Sequence, residues 1–395
     1  VTRAAHRFPP NAQLRLAAFV CLSAMCLGLL TPSAAAADMR SRQWYLDAMQ
    51  AERMWQTTKG EGITVAVIDS GVDDSVPELR GQSLSGRDFS GEGRGADHDS
   101  EGHGTSMAMI IAGRQGGAGA WGLAPKSKIL PLRSTGSYGI LSIAKSIRYA
   151  ADHGAKVINV SRGGPAGEEA KSALQSAVSY ANKKGSLIFA ATGNDGDKGN
   201  TPSYPSITPG VVGVGAVDKT LSATKFSTHG PQVALAAPGV GIATRCTNKL
   251  VECVAQGTSQ ATALASASAA LIWSAHPTWT NNQVLRVMMA TAGKPEDGKV
   301  PSKYLGYGIV RPRKVLVDKE GDPGPADMNP LLAARGTTTP PKTPQSRADN
   351  SAADAAQKPA EAPENSLPWP LTAGLAATVA ALAAGGLVIV RRRRT

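Results

Sequence analysis

Charge, aromatic rings, cysteine and acidic residues are all scarce in this chain of 395 residues. Charged residues make up 18% and aromatics 5%, and the 43 glycines follow no collagen-like period, so the chain is neither fibrous nor wholly disordered. A soluble core with many tight turns fits this composition. No internal repeat is found. Histidine, cysteine, aspartate and glutamate do not recur at metal-ligand spacing. The loop holding Asp97, His98, Asp99 and His103 lacks a second set of ligands, so it reads as an acidic loop, and neither a metal nor a cofactor is expected. Acidic residues number 30 against 42 basic, a net charge of +12 that would suggest nucleic acid or an anionic surface as partner.

The location of that charge changes its meaning. Residues 1–37 carry +3 and no acid, with an apolar run from Leu16 to Leu30 and small residues from Ala34 to Ala37. This is the order of a secretory signal, and cleavage is expected near Ala37. At the other end, Leu371 to Val390 is a run of 20 uncharged residues, about 30 Å as a helix, between Trp369 and the four arginines Arg391 to Arg394. An interfacial aromatic on one side and a cationic anchor on the other predict a single membrane span over 369–390 with a cytoplasmic tail at 391–395. Both ends therefore place the rest of the chain outside the cell, in the cell membrane's extracellular space. Seven of the 12 excess charges are topological, and no nucleic-acid partner is expected.

Between the core and the span, 319–368 holds nine prolines and no sustained apolar period, and reads as a disordered stalk. Cys21 and Cys26 leave with the signal, so Cys246 and Cys253 are expected to pair as a disulfide in an oxidising compartment.

The remaining stretch, 38–318, alternates β-branched runs with helical patterns. Ile63 to Ile68, Val157 to Val160, Leu187 to Ala191, Val211 to Val217 and Val233 to Ala236 read as strands, several of them apolar at consecutive positions, as strands covered on both faces should be. Ser142 to His153, Glu168 to Lys184, Thr262 to Ala275 and Asn281 to Thr291 have helical length and pattern. The order predicts an α/β domain with a mostly parallel central sheet, whose functional residues lie at the C-terminal ends of strands.

That rule selects Asp69 after the first strand, Ser161 in Ser161-Arg162-Gly163-Gly164, and Asn194 in Ala191-Thr192-Gly193-Asn194; His103 and Ser259 each stand at a helix start. Singly, each has an ordinary reading: a turn Asp, an N-cap Ser, a surface His, a turn Asn. Together they make a nucleophilic site. A serine hydroxyl needs a base in hydrogen-bond reach, histidine titrates in the right range, a buried carboxylate orients the imidazole, and a tetrahedral intermediate needs preplaced donors.

Asp69-Ser70-Gly71, Gly102-His103-Gly104-Thr105, Ala191-Thr192-Gly193-Asn194 and Gly257-Thr258-Ser259-Gln260-Ala261 resemble, in order, the four motifs of the subtilisin-like serine peptidases over about 60–318. The resemblance implies a three-layer fold and a serine endopeptidase with Ser259 as nucleophile, His103 as general base, Asp69 as orienting carboxylate and Asn194 as oxyanion donor. It also implies that Ser161, Arg162, Gly163 and Gly164, with Gly193 and the stretch at Gly136, hold a peptide as an added strand. Signal, peptidase, proline-rich linker, span and basic tail together look like the mycosins, membrane-anchored subtilases of type VII secretion. That likeness implies exported proteins or peptides as substrates and a type VII membrane complex as partner. The alternatives are a structural component of such a complex with secondary proteolysis, and a general secreted subtilase.

Three departures stand out. About 32 residues separate the expected cleavage site from Asp69, too few for a folded inhibitory pro-domain; Ala263 stands where the family usually has proline; and Arg162 stands where it has a small or apolar residue. The Arg162 guanidinium is expected to favour acidic substrate side chains or to point to solvent, with solvent preferred.

Overall fold

The computed structural model describes Thr2 and residues 39–116, 119–135, 139–245 and 253–336. The expected signal, the Leu371–Val390 run with its arginines, Gly136 and Cys246 lie outside these residues. Among the described residues no helix is long and apolar enough to cross a membrane.

In chain order the elements are α1 (Trp44–Ala48), α2 (Ala51–Met54), β1 (Thr64–Asp69), β2 (Arg87–Asp88), α3 (His103–Ala112), β3 (Lys128–Arg133), α4 (Gly139–Asp152), β4 (Val157–Val160), α5 (Glu168–Lys183), β5 (Leu187–Ala191), β6 (Val212–Val217), β7 (Val233–Pro238), β8 (Ile242–Thr244), β9 (Cys253–Ala255), α6 (Thr258–Ala275), α7 (Asn281–Thr291), α8 (Pro312–Leu316) and α9 (Pro330–Ala334). Among the described residues the main sheet has seven strands in the order β2-β3-β1-β4-β5-β6-β7, all pairs parallel. β8 and β9 form a separate antiparallel pair.

Alternation along β1 sends Val65 and Val67 to one apolar cluster and Ala66 and Ile68 to the other, because successive strand side chains take opposite faces. The first cluster joins the sheet to α3, α6 and α7, the second to α4 and α5. The result is three layers around a parallel sheet. α6 is buried along nearly its whole length, which its run of Ala and Ser permits by allowing close approach to β4, β5, β6 and β7. A capping box between Thr280 and Gln283 starts α7 at the expected residue.

Sequence periodicity misses β3. Pro131 stands in its middle, and proline normally argues against a central strand. Here the flanking hydrogen bonds, from Ile129 N to Gln82 O and from Phe89 N to Arg133 O, show that odd-numbered residues face the β2 side. The missing Pro131 N–H therefore faces an edge strand of two residues, where it costs one edge contact and no central ladder bond.

The stalk expected from residue 319 is corrected over 319–336. Asn329 caps α9 by accepting from the Leu331 and Leu332 amides, Leu331 is buried, and the Arg286 guanidinium donates to the carbonyls of Pro323, Pro325 and Met328. The packed domain thus runs beyond 318. The prolines here shape a strap over α7.

Candidate active site

β1 delivers Asp69 fully buried at its C-terminal end. Its Oδ1 accepts from the Ser70 amide at 2.7 Å and from His103 Nδ1 at 2.7 Å. His103 opens α3, and that helix can approach β1 only because Gly104 has no side chain: a Cβ there would stand 2.1 Å from Gly71 O and 2.9 Å from the Asp69 Cβ. Gly104 N also donates to Ser70 Oγ at 2.9 Å, while the buried Arg133 holds the Ser70 carbonyl through Nε at 3.1 Å.

The loop before α3 is organised by Asp99. Its Oδ1 accepts from the Gly102 amide at 2.8 Å and its Oδ2 from the Thr105 amide at 2.9 Å and the Thr105 hydroxyl at 2.6 Å. From that acidic loop it satisfies free donors at the start of the helix that carries His103. Among the described residues no group of three or more His, Cys, Asp or Glu is placed to hold a metal.

Ser259 is the second residue of α6 and is largely buried. Gly257 turns the chain into this helix at φ 153°, where a Cβ would meet Gln260 Oε1 at 2.8 Å. Asn194 lies alongside: its Oδ1 accepts from the Thr258 amide at 2.9 Å and the Thr258 hydroxyl at 3.1 Å. Since an amide N–H can only donate, Oδ1 must face Thr258, leaving Nδ2 as the donor on the other side. The Ser259 hydroxyl donates to Ser161 O at 3.3 Å, and Ser161 Oγ donates to Ser259 O at 3.3 Å. No hydrogen bond joins Ser259 to His103; unliganded sites often hold this contact loosely.

Burial alone would raise the Asp69 carboxyl and lower the His103 imidazole. For Asp69 the charge and hydrogen bond of His103, then the Arg162 charge and the Ser70 amide, outweigh burial and hold it below the usual carboxylate range. For His103 the Asp69 charge and hydrogen bond win, with Asp99 adding to them and Arg162 opposing, so the imidazole sits above its ordinary value.

Among the residues expected to hold a peptide, Gly164 exchanges both backbone bonds with Tyr204, N to O at 3.0 Å each way. The preference for a solvent-pointing Arg162 is also corrected: its side chain is 30% exposed, Nη2 donates to Glu101 Oε2, and Nε lies 3.4 Å from Asp69 Oδ1. The two carboxylates draw it inward. Gly193, at φ 111°, donates its N–H to Thr258 Oγ1 at 3.2 Å. Cys253 stands at the start of β9, and its expected pairing with Cys246 lies outside the described residues.

With this geometry in view, residues 60–308 match the profile described as the subtilase family. The chain is 37% identical over 256 residues to a subtilisin of Bacillus pumilus, covering 64% of this chain and 90% of that protein. Among solved structures it resembles MycP1 from Mycobacterium smegmatis with TM-score 0.63 and 28% identity, over 72% of this chain and 86% of that one. The MycP3 protease from the type VII (ESX-3) secretion system aligns with TM-score 0.59 and 31% identity, over 69% of this chain and 87% of that one.

Proposed function

The chain belongs to the subtilase family of serine endopeptidases, and from that premise we propose that it works tethered to the outer face of a cell membrane, cleaving exported proteins in association with type VII secretion. The observation that carries the tether is the 20-residue uncharged run followed by four arginines, downstream of a peptidase domain that ends beyond residue 318. The type VII link is supported by the likeness to MycP1 and MycP3.

Chemically, the hydroxyl of Ser259 turns from Ser161 O toward His103 Nε2. As Oγ bonds to the scissile carbonyl carbon, its proton passes to Nε2. Asp69 keeps the Nδ1 proton on the ring's other side and stabilises the imidazolium. Asn194 Nδ2 and a backbone N–H at the start of α6 receive the negative oxygen. The C–N bond then breaks as the amine takes the proton from His103, and water repeats the sequence to release the acyl group. Substrate backbone pairs with Ser161 to Gly163, which favours extended peptides over any one side chain. Cys246 and Cys253 close a short disulfide loop in the oxidising space.

Ser259→Ala should abolish labelling by a fluorophosphonate probe with the fold intact, and truncation before residue 369 should release active peptidase from the membrane fraction into the medium. Labelling of the Ala variant would overturn the site; activity that stays with the membrane after truncation would overturn the tether. Complementing a gene deletion with the Ala variant tests the secretion role: lost processing of an exported protein supports it, and unchanged processing refutes it.

A further inference from the structure

Among the described residues Arg162 is the cation drawn against the catalytic carboxylate. Its Nε and the His103 Nδ1 approach the same Asp69 Oδ1, at 3.4 and 2.7 Å, so the two nitrogens lie no more than about 6 Å apart. Nε and Asp69 Oδ2 are both buried polar atoms without a hydrogen-bond partner among the described residues, although they belong to neighbouring side chains. On the other side, Glu101 accepts from Nη2 and holds the guanidinium at the cleft edge.

We propose that Arg162 is a positioning residue of the peptidase site: held by Glu101, it supplies a fixed positive charge to Asp69 and through it restrains protonation of His103, extending activity toward lower pH than the Asp–His pair alone would allow. A guanidinium stays charged across the working range, so its effect does not itself titrate. The charged groups acting on the imidazole are Asp69 from β1, Asp99 from the loop before α3 and Arg162 from the segment after β4; Glu101, from the same loop as Asp99, reaches it through its pairing with Arg162. The first turn of α6 brings no acidic residue. Asp69 and Asp99 favour the imidazolium, while burial and Arg162 oppose it.

The inference rests on the serine-peptidase reading and is independent of the membrane tether. Its test is the rate at which a fluorophosphonate probe inactivates the full chain, measured from about pH 5 to about pH 9. Arg162→Leu removes the cation and should move the acid limb up by about 0.5–1 pH unit, a loss of roughly three- to tenfold at a fixed pH on that limb. Glu101→Gln keeps an acceptor for the guanidinium but removes the neutralising charge, and should move the limb the opposite way. Opposed shifts cannot come from general damage to the fold. An unmoved limb in both variants, or a uniform fall without a shift, overturns the proposal. If Arg162→Leu does not fold, Glu101→Gln decides alone. Wild-type chain that never reacts with the probe would overturn the peptidase reading instead.

Discussion

Replacing Asp99 with alanine removes the acceptor for the Gly102 and Thr105 amides and the Thr105 hydroxyl, and the weaker bond from the Glu101 amide at 3.2 Å. The Glu101 and Gly102 amides belong to the turn that leads into α3 and the Thr105 amide to its first turn, and none gains a replacement acceptor from an alanine methyl. Loss of one N-cap acceptor costs about 1 kcal/mol, and a charged acceptor serving several donors stands at the upper end, about 2–3 kcal/mol. For a domain of this size each kcal/mol lowers Tm by about 2–4 °C, so calorimetry should show a fall of about 4–12 °C. Activity should fall further than stability explains, because His103 is the first residue of that helix and its Nδ1 contact with Asp69 depends on the helix start. Asp99→Asn, which keeps one carbonyl acceptor, should recover a part of both losses. A Tm unchanged within about 1 °C in the alanine variant would refute the capping role, since no reasonable accounting lets several donors lose their acceptor for free. A full Tm loss with unchanged kcat/KM would refute the link from this cap to His103.

Gly104→Ala places a methyl 2.1 Å from Gly71 O and against Asp69, so it should separate α3 from β1 and abolish most activity while far-UV circular dichroism stays near wild type; near-normal kcat would refute the close approach. Asn194→Ala should lower kcat about 10²–10³-fold with little change in KM, the magnitude known for the matching donor in a subtilisin, a relative of this chain; steady-state kinetics checks it. The acid limb of kcat/KM should lie above the ordinary histidine value of about 6.5, because His103 is raised in the fold and must be neutral to accept a proton. Stability follows by linkage. The raised His103 contributes in full below its unfolded value and loses that contribution as pH rises through the folded one. The lowered Asp69 contributes above the unfolded carboxylate value and loses it as pH falls through the folded one. Urea denaturation across pH should therefore show stability falling toward both extremes, and a flat profile would contradict the pair.

Much of the fold is written locally. β1, β4 and β5 are short runs of Val, Ile, Leu, Phe and Ala with only Thr64, Asn159 and the terminal Asp69 breaking the pattern, and such runs suit strands covered on both faces. Thr280 and Gln283 mark the start of α7 within four residues. The site motifs are local in part, since Gly102 at φ 71° and Gly257 at φ 153° meet demands of their own turns, whereas Gly104 answers to the approach of Gly71 and Asp69.

What the sequence by itself determined is the alternation of strand and helix, the placement of Asp69, Asn194 and Ser259 at element ends, and the residue types that make a nucleophilic site. Only the tertiary structure decided the rest, because those features depend on partners far away in the chain. Pro131 fits a strand because of which neighbour its missing N–H faces. Residues 319–336 pack because Arg286 reaches three of their carbonyls. Arg162 turned inward because a charged side chain goes where burial is compensated by opposite charge or by hydrogen bonds, and that site exists only once β1, the loop before α3 and the segment after β4 have come together.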